Sequence, residues 1–250
     1  MVMLGIKTDK TAFTLAEVII VIGIIGIVAS MLIPGLVTNY RKKETVARLQ
    51  VAYELFSSAF RRSMAENGDP AAWDDSDLNK YTQTYIVSYI AGAIKVNDRK
   101  GLSNYPMRTL SSQGTPSSNR YLDWSWNMNN RPIYEIPSKS ILFVVSNAND
   151  GYKTIVVDIN GRKGPNIMGI DGFTFWIEPQ KQAVMPAGYK CSREQILGKV
   201  KGCVSSGTRM CVRDNTWQYY RGGYCAALLQ KDDWKITKDY PWGNGDLTSK

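Results

Sequence analysis

From Phe13 to Val37 the chain reads FTLAEVIIVIGIIGIVASMLIPGLV, an apolar run holding one charge, Glu17. A run of this length spans a bilayer as a helix. A carboxylate inside it is costly unless it has a partner or a function. A short polar leader with Lys7 and Lys10 precedes the run, and Arg41-Lys42-Lys43 follows it. A secretory signal peptide has an apolar stretch of about 7–15 residues with a small-residue cleavage site behind it. Here the run is longer, and Val28-Ala29-Ser30 falls inside it. A plain signal anchor accounts for the length but leaves Glu17 without a reason.

The stretch Ala12-Phe13-Thr14-Leu15-Ala16-Glu17 ahead of the aliphatic run resembles the processing motif of type IV pilins and type II secretion pseudopilins. The resemblance implies that a membrane prepilin peptidase cuts between Ala12 and Phe13, where the family usually has Gly in place of Ala12. It also implies that the new amino terminus is N-methylated. Glu17, fifth from Phe13, then pairs with the terminal amine of a neighbouring subunit. Burying two opposite charges costs desolvation unless they meet, so such a pair sets register between subunits more than it adds stability. Gly26 and Pro34 stand where pilins carry a helix-loosening Gly and a kinking Pro; Pro removes an i to i−4 hydrogen bond. Basic residues flank both ends of the run, so the positive-inside rule alone does not orient it. The resemblance places the N-terminus inside and the C-terminal domain outside the inner (cytoplasmic) membrane, and on the cell surface or in a periplasmic filament after assembly.

The implied fold class is α+β and pilin-like: a long N-terminal transmembrane-plus-amphipathic helix packed on an antiparallel β-sheet head. Residues 1–12 form the leader, 13–37 the membrane and filament-core half of the helix, and 38–66 its amphipathic half. Residues 67–250 form the globular head, with a disulfide-bearing region at about 190–250. The residues support this layout. Val46, Leu49, Tyr53, Phe56 and Phe60 are spaced as one helical stripe. Asn67-Gly68-Asp69-Pro70 reads as a C-cap and stop. A helix from Phe13 to about Glu66 would be about 80 Å long. Residues 71–95 read as a second helix capped by Ser76 or Asp77, with Tyr81, Tyr85, Tyr89 and Ile86, Ile90, Ile94 at i, i+4 spacing. The Gly-, Ser-, Pro- and Asn-rich stretch 97–120 reads as a long loop. Strands are expected at Arg131–Ile136, Ser140–Ser146, Thr154–Ile159 and Phe173–Ile177, with Asn149-Asp150-Gly151 turning a hairpin. The apolar run Tyr224–Leu229 reads as a strand or short helix docked on the sheet.

The chain has no histidine. This excludes Ser-His and Cys-His catalysis and His-containing zinc sites. Asp123, Glu135 and Asp158 are present, but no spacing singles out a catalytic pair. The cysteines Cys191, Cys203, Cys211 and Cys225 include no C-x-x-C motif and lie in one Gly-rich, polar region, which points to two disulfides. Four cysteines allow three connectivities. Cys191–Cys203 with Cys211–Cys225 closes the shortest loops.

The segment from Asp158 to Asp171, DINGRKGPNIMGID, resembles a loop that precedes a late strand in many pilin-like sequences. Its Asn-Gly, Gly-Pro and Asp-Gly pairs mark turns. The competing reading is a calcium site built from Asp158, Asn160, Asn166 or Asp171; calcium takes six to eight oxygens. It is not an EF-hand, because Arg162 occupies the place of an acidic ligand and no glutamate closes the loop. No other cofactor is expected.

The function read from these features is structural: a pilin or pseudopilin subunit, of minor type given the length, in a type IV pilus or type II secretion filament. Its partners would be other pilin or pseudopilin subunits, the prepilin peptidase, an inner-membrane assembly platform and membrane lipid. The rival from another class is a membrane-anchored extracellular binding module for DNA or surface adhesion. For it, the net charge of +9 would meet phosphate, and the 14 Tyr and 7 Trp would stack on bases.

Overall fold

The structure is a computed structural model, and it describes residues 14–96, 107–108, 121–122, 132–147, 153–203, 210–213 and 222–242. The chain divides into two compact units between Arg41 and Lys42. Helix α1, Leu15–Asn67, starts in the first unit and ends in the second. In the first unit its side chains are apolar and exposed, from Leu15 and Val18 through Leu36 and Val37. The mean hydropathy reaches 2.7 with none of that window buried, so α1 is long and apolar enough to cross a membrane. The helix runs through Gly26 and Pro34 without interruption. The Thr38 hydroxyl donates to Pro34 O (2.9 Å) one turn on.

The second unit is organised on the other half of α1. Val46, Leu49, Phe56 and Phe60 are buried as the stripe predicts, with Ala52, Ala59 and Ser63 beside them. Gly68, at φ +74°, ends the helix by donating its N–H to Met64 O (2.9 Å). This left-handed position favours glycine.

The stripe packs on a six-stranded antiparallel sheet. Its strands are β1 (Ile94–Lys95), β4 (Ile133–Ile136), β5 (Ile141–Asn147), β6 (Lys153–Asp158), β7 (Gly172–Glu178) and β8 (Ala183–Pro186), in the order β1-β4-β5-β6-β7-β8. Short strands β2 (Met107–Arg108) and β3 (Tyr121–Leu122) pair separately. Phe56 meets Phe143 of β5 edge-on at 5.0 Å between centroids, and Tyr53 lies 5.7 Å from Phe175 of β7. Ile155, Val157, Phe173 and Ile177 complete that face. The alternate residues Ile133, Leu142, Val144 and Val156 form a second buried cluster with Val96 and Met168. The central strands are therefore buried on both faces, and β5 to β7 read as continuous β-branched and aromatic runs.

Two expectations need correction, and one open choice is decided. Residues 71–95 do not form one helix. Asp69 caps a 3-10 turn at Pro70–Ala72. Helix α2 then spans only Leu78–Tyr85, with the Asp77 carboxylate accepting from the N–H groups of Asn79 (2.7 Å) and Lys80 (3.1 Å). Helix α2 ends at its C-cap Ile86, a second 3-10 turn follows at Val87–Tyr89, and Gly92 at φ +76° turns the chain into β1. The sheet has six strands rather than about four, because the edge strands β1 and β8 were missed. Tyr224–Leu229 resolves as helix, α4 (Cys225–Lys231), with residues Cys225 to Leu229 all buried. The expected hairpin turn Asn149-Asp150-Gly151, Arg131, Asp123 and most of the 97–120 loop lie outside the described residues.

Candidate functional site

The described part of the N-terminal motif begins at Thr14. The Thr14 N–H donates to Glu17 Oε2 (2.8 Å), and the Thr14 hydroxyl donates to the same oxygen (2.8 Å). In return Glu17 N–H donates to Thr14 Oγ1 (3.2 Å). This is a reciprocal capping box: the side chain at the helix start and the side chain three residues on satisfy each other's backbone donors. Glu17 thus has a local role that the reading of the apolar run missed, although Thr-x-x-Glu ahead of apolar residues is its signature. Both bonds that the Glu17 carboxylate accepts fall on Oε2, and Glu17 is exposed. Ala12 and Phe13 lie outside the described residues. Gly26 and Pro34 sit within α1, and a Cβ added at Gly26 would meet nothing within 4 Å.

A second cluster closes the loop between β6 and β7. Asp158, at the end of β6, accepts the Asn160 N–H on Oδ1 (2.9 Å). Asp171 accepts three donors: Ile167 N–H on Oδ1 (2.6 Å), and Asn166 N–H (2.7 Å) and Asn160 Nδ2 (3.2 Å) on Oδ2. Asn160 Nδ2 also donates to Gly164 O (3.2 Å). The structure thus brings Asp158, Asn160 and Asp171 together, with Asn160 bridging the two carboxylates. Both carboxylates are buried. Burial pushes the Asp171 carboxyl up to about 6 even though its N–H donors favour the charged form.

As a calcium site this donor set fits poorly. Calcium takes six to eight oxygens, and here three N–H groups occupy the oxygens of Asp171. Asn160 Oδ1 and Asn166 Oδ1 are buried without hydrogen-bond partners and the Asp158 carboxylate is buried in the same loop, three side chains against the six to eight oxygens that calcium takes. Among the described residues no group of three or more His, Cys, Asp or Glu is placed to hold a metal.

The third feature is the C-terminal region. Cys191 is bonded to Cys203, and Cys211 to Cys225. Helix α3 (Arg193–Ile196) opens with a capping box between Ser192 and Gln195. Arg193 reaches Asp232 (2.6 Å) and Asp239 (3.1 Å), tying α3 to the segment after α4. The Arg193 bond holds the Asp239 carboxyl below the usual carboxylate range. Sequence spacing offers no signal for this clamp, because its partners lie far apart in the chain.

Two family models match the chain. A family of unknown function, DUF6613, matches residues 35–243, most of its length. The chain belongs to this family. The model of the prokaryotic N-terminal methylation motif matches residues 7–33, the polar leader and most of the apolar run. The DUF6613 chain is therefore a type IV pilin-like protein. Searches of curated proteins and of solved structures return no match. The two models divide the DUF6613 protein as its chemistry does: the methylation-motif model covers most of the apolar run with its one carboxylate, and the DUF6613 model covers the sheet-bearing head.

Proposed function

We propose that this DUF6613 protein is a structural subunit, a minor pilin or pseudopilin, of a type IV pilus or type II secretion filament. Its leader is cut between Ala12 and Phe13 in the inner membrane. Glu17 then pairs with the amino terminus of a neighbouring subunit as the assembly platform draws the chain out of the lipid. The methylation motif over residues 7–33 carries this reading. The geometry of Glu17 supports it: the cap takes Oε2, so Oε1 is left to accept a second donor without breaking the helix start. The β6–β7 loop is closed by its own hydrogen bonds.

Two substitutions separate pairing from capping. Glu17→Gln keeps a capping side chain, since Gln serves in the box as Glu does, but removes the charge. Under the pairing role Glu17→Gln and Glu17→Ala are both processed normally. Both fall by about tenfold or more in the filament fraction sheared from cells, because each leaves a neighbour's amine buried without its counter-charge. Normal assembly of Glu17→Gln, with loss only in Glu17→Ala, would reduce Glu17 to a cap.

A further inference from the structure

The end of the described chain packs back along α1 within the head unit. Trp234 lies against Tyr53, ring centroids 5.8 Å apart. Trp242 lies under the ammonium of Lys42, 5.9 Å from the ring centroid. Tyr53 and Lys42 are separated along the helix by roughly 16 Å at 1.5 Å per residue. The segment 234–242 therefore travels back along α1 and brings Trp242 beside the first residue of the head unit. Its course is pinned by Tyr240, which is buried and whose hydroxyl donates to Gly169 O. Arg213 joins the same end, its Nε–H donating to Pro241 O (3.3 Å). Lys43, next on the helix, is exposed. The carboxylates close by in sequence are matched elsewhere: Glu44 by Arg48 (3.0 Å), and Asp239 by Arg193 (3.1 Å) and Lys199 (3.7 Å). The cluster thus combines a half-buried Trp with Lys42 and Arg213, and Lys43 adds an exposed charge next along the helix.

Chain continuity names the occupant. Lys42 follows shortly after Val37, the last residue of the apolar run. In a membrane-anchored subunit that position falls at the lipid–water boundary. Trp is favoured there because its ring is apolar and its edge polar, and Lys and Arg extend apolar stems while their charges reach the headgroups. Anionic headgroups attract basic residues near the surface, and the attraction fades within a Debye length.

We propose that Lys42, Lys43, Arg213 and Trp242 form an interfacial patch that binds anionic phospholipid headgroups while the subunit is still anchored. The proposal rests on the reading of residues 13–37 as a membrane span. It assigns the C-terminal segment a task the pilin reading does not contain: holding the head against the membrane surface until the subunit is extracted.

The test uses the full chain reconstituted into phosphatidylcholine vesicles, with or without phosphatidylglycerol, whose acyl chains are brominated next to the headgroup. Bromine quenches nearby indoles. The wild type should be quenched more than Trp242→Phe, and this difference should grow with phosphatidylglycerol and shrink at high salt. The Lys42→Ala/Lys43→Ala variant should lose roughly two-thirds or more of the phosphatidylglycerol-dependent part, two of three cations being gone. Equal quenching of wild type and Trp242→Phe would overturn the proposal. So would a difference indifferent to phosphatidylglycerol, or one that disappears when each vesicle holds a single copy, which would assign the patch to a second subunit. Flotation of the vesicles reads the underlying premise separately: a chain that fails to float with them has no membrane span, and the patch falls with it.

Discussion

Asp171→Asn probes the buried loop, and its effect should depend on pH in a definite direction. Asp171 is buried and accepts from Ile167, Asn166 and Asn160. An amide keeps one acceptor oxygen and turns an NH2 against at least one of those donors. Losing a buried hydrogen bond in this way costs about 1–3 kcal/mol. A second contribution acts with the opposite sign. Burial pushes the folded carboxyl up from its usual 3.8 to about 6. The folded state therefore favours the neutral acid. That contribution is fully present below the unfolded pKa and is lost as pH rises through the folded one. A rise of this size amounts to roughly 3 kcal/mol, of which about 2 kcal/mol is spent between pH 4.5 and 7.5. Asn cannot ionise and escapes this loss. Asp171→Asn should thus destabilise the full chain by about 1–3 kcal/mol near pH 4.5 and by about 2 kcal/mol less near pH 7.5. Urea unfolding in detergent, followed by near-UV circular dichroism at the two pH values, measures both. A penalty equal at both pH values, or larger at pH 7.5, would show that the loop holds Asp171 as a favoured anion and would refute the argument from burial.

Two further outcomes follow from the head. Reducing the disulfides should lower the melting temperature by about 6–12 °C for each bond opened, since opening a loop such as Cys211–Cys225, sequence separation 14, costs about 3 kcal/mol at 2–4 °C per kcal/mol; a thermal scan with and without reductant that shows no shift would contradict it. Excess calcium and excess chelator should give the same melting temperature, because the donors within the β6–β7 loop already fill the Asp171 carboxylate; a clear rise with calcium would reopen the metal reading.

Much of the long helix was legible because its signals are local. The stripe from Val46 to Phe60 and the Gly68 stop follow from helical periodicity and from the left-handed turn that glycine permits. The 71–95 region misled for the same reason. Ile86, Ile90 and Ile94 stand at helical spacing, yet Ile94 is 53% exposed on an edge strand while Ile86 and Ile90 are buried beyond the end of α2. Periodicity cannot tell a short helix followed by a turn from one continuous helix when no Gly or Pro marks the break. Strand β8 escaped because it is short and ends in Pro186, which belongs to edge strands and reads as a loop. The loop cluster was visible only as a set of turn residues. That the N–H groups of Asn166 and Ile167 converge on Asp171 depends on the chain doubling back, with Asn166 at φ +55°, a property no spacing rule records. At the N-terminus the reverse happened: the capping box was written in the sequence, but the cost of a carboxylate in an apolar run drew attention to partners outside the chain.

The most direct test of the filament reading is the mass and N-terminal sequence of the protein isolated from its own cells. The account predicts a chain that begins at Phe13 with a methylated amine and has lost residues 1–12. A protein that retains Met1 through Ala12 while residing in the membrane, or one cut within or after the apolar run and released, would contradict it.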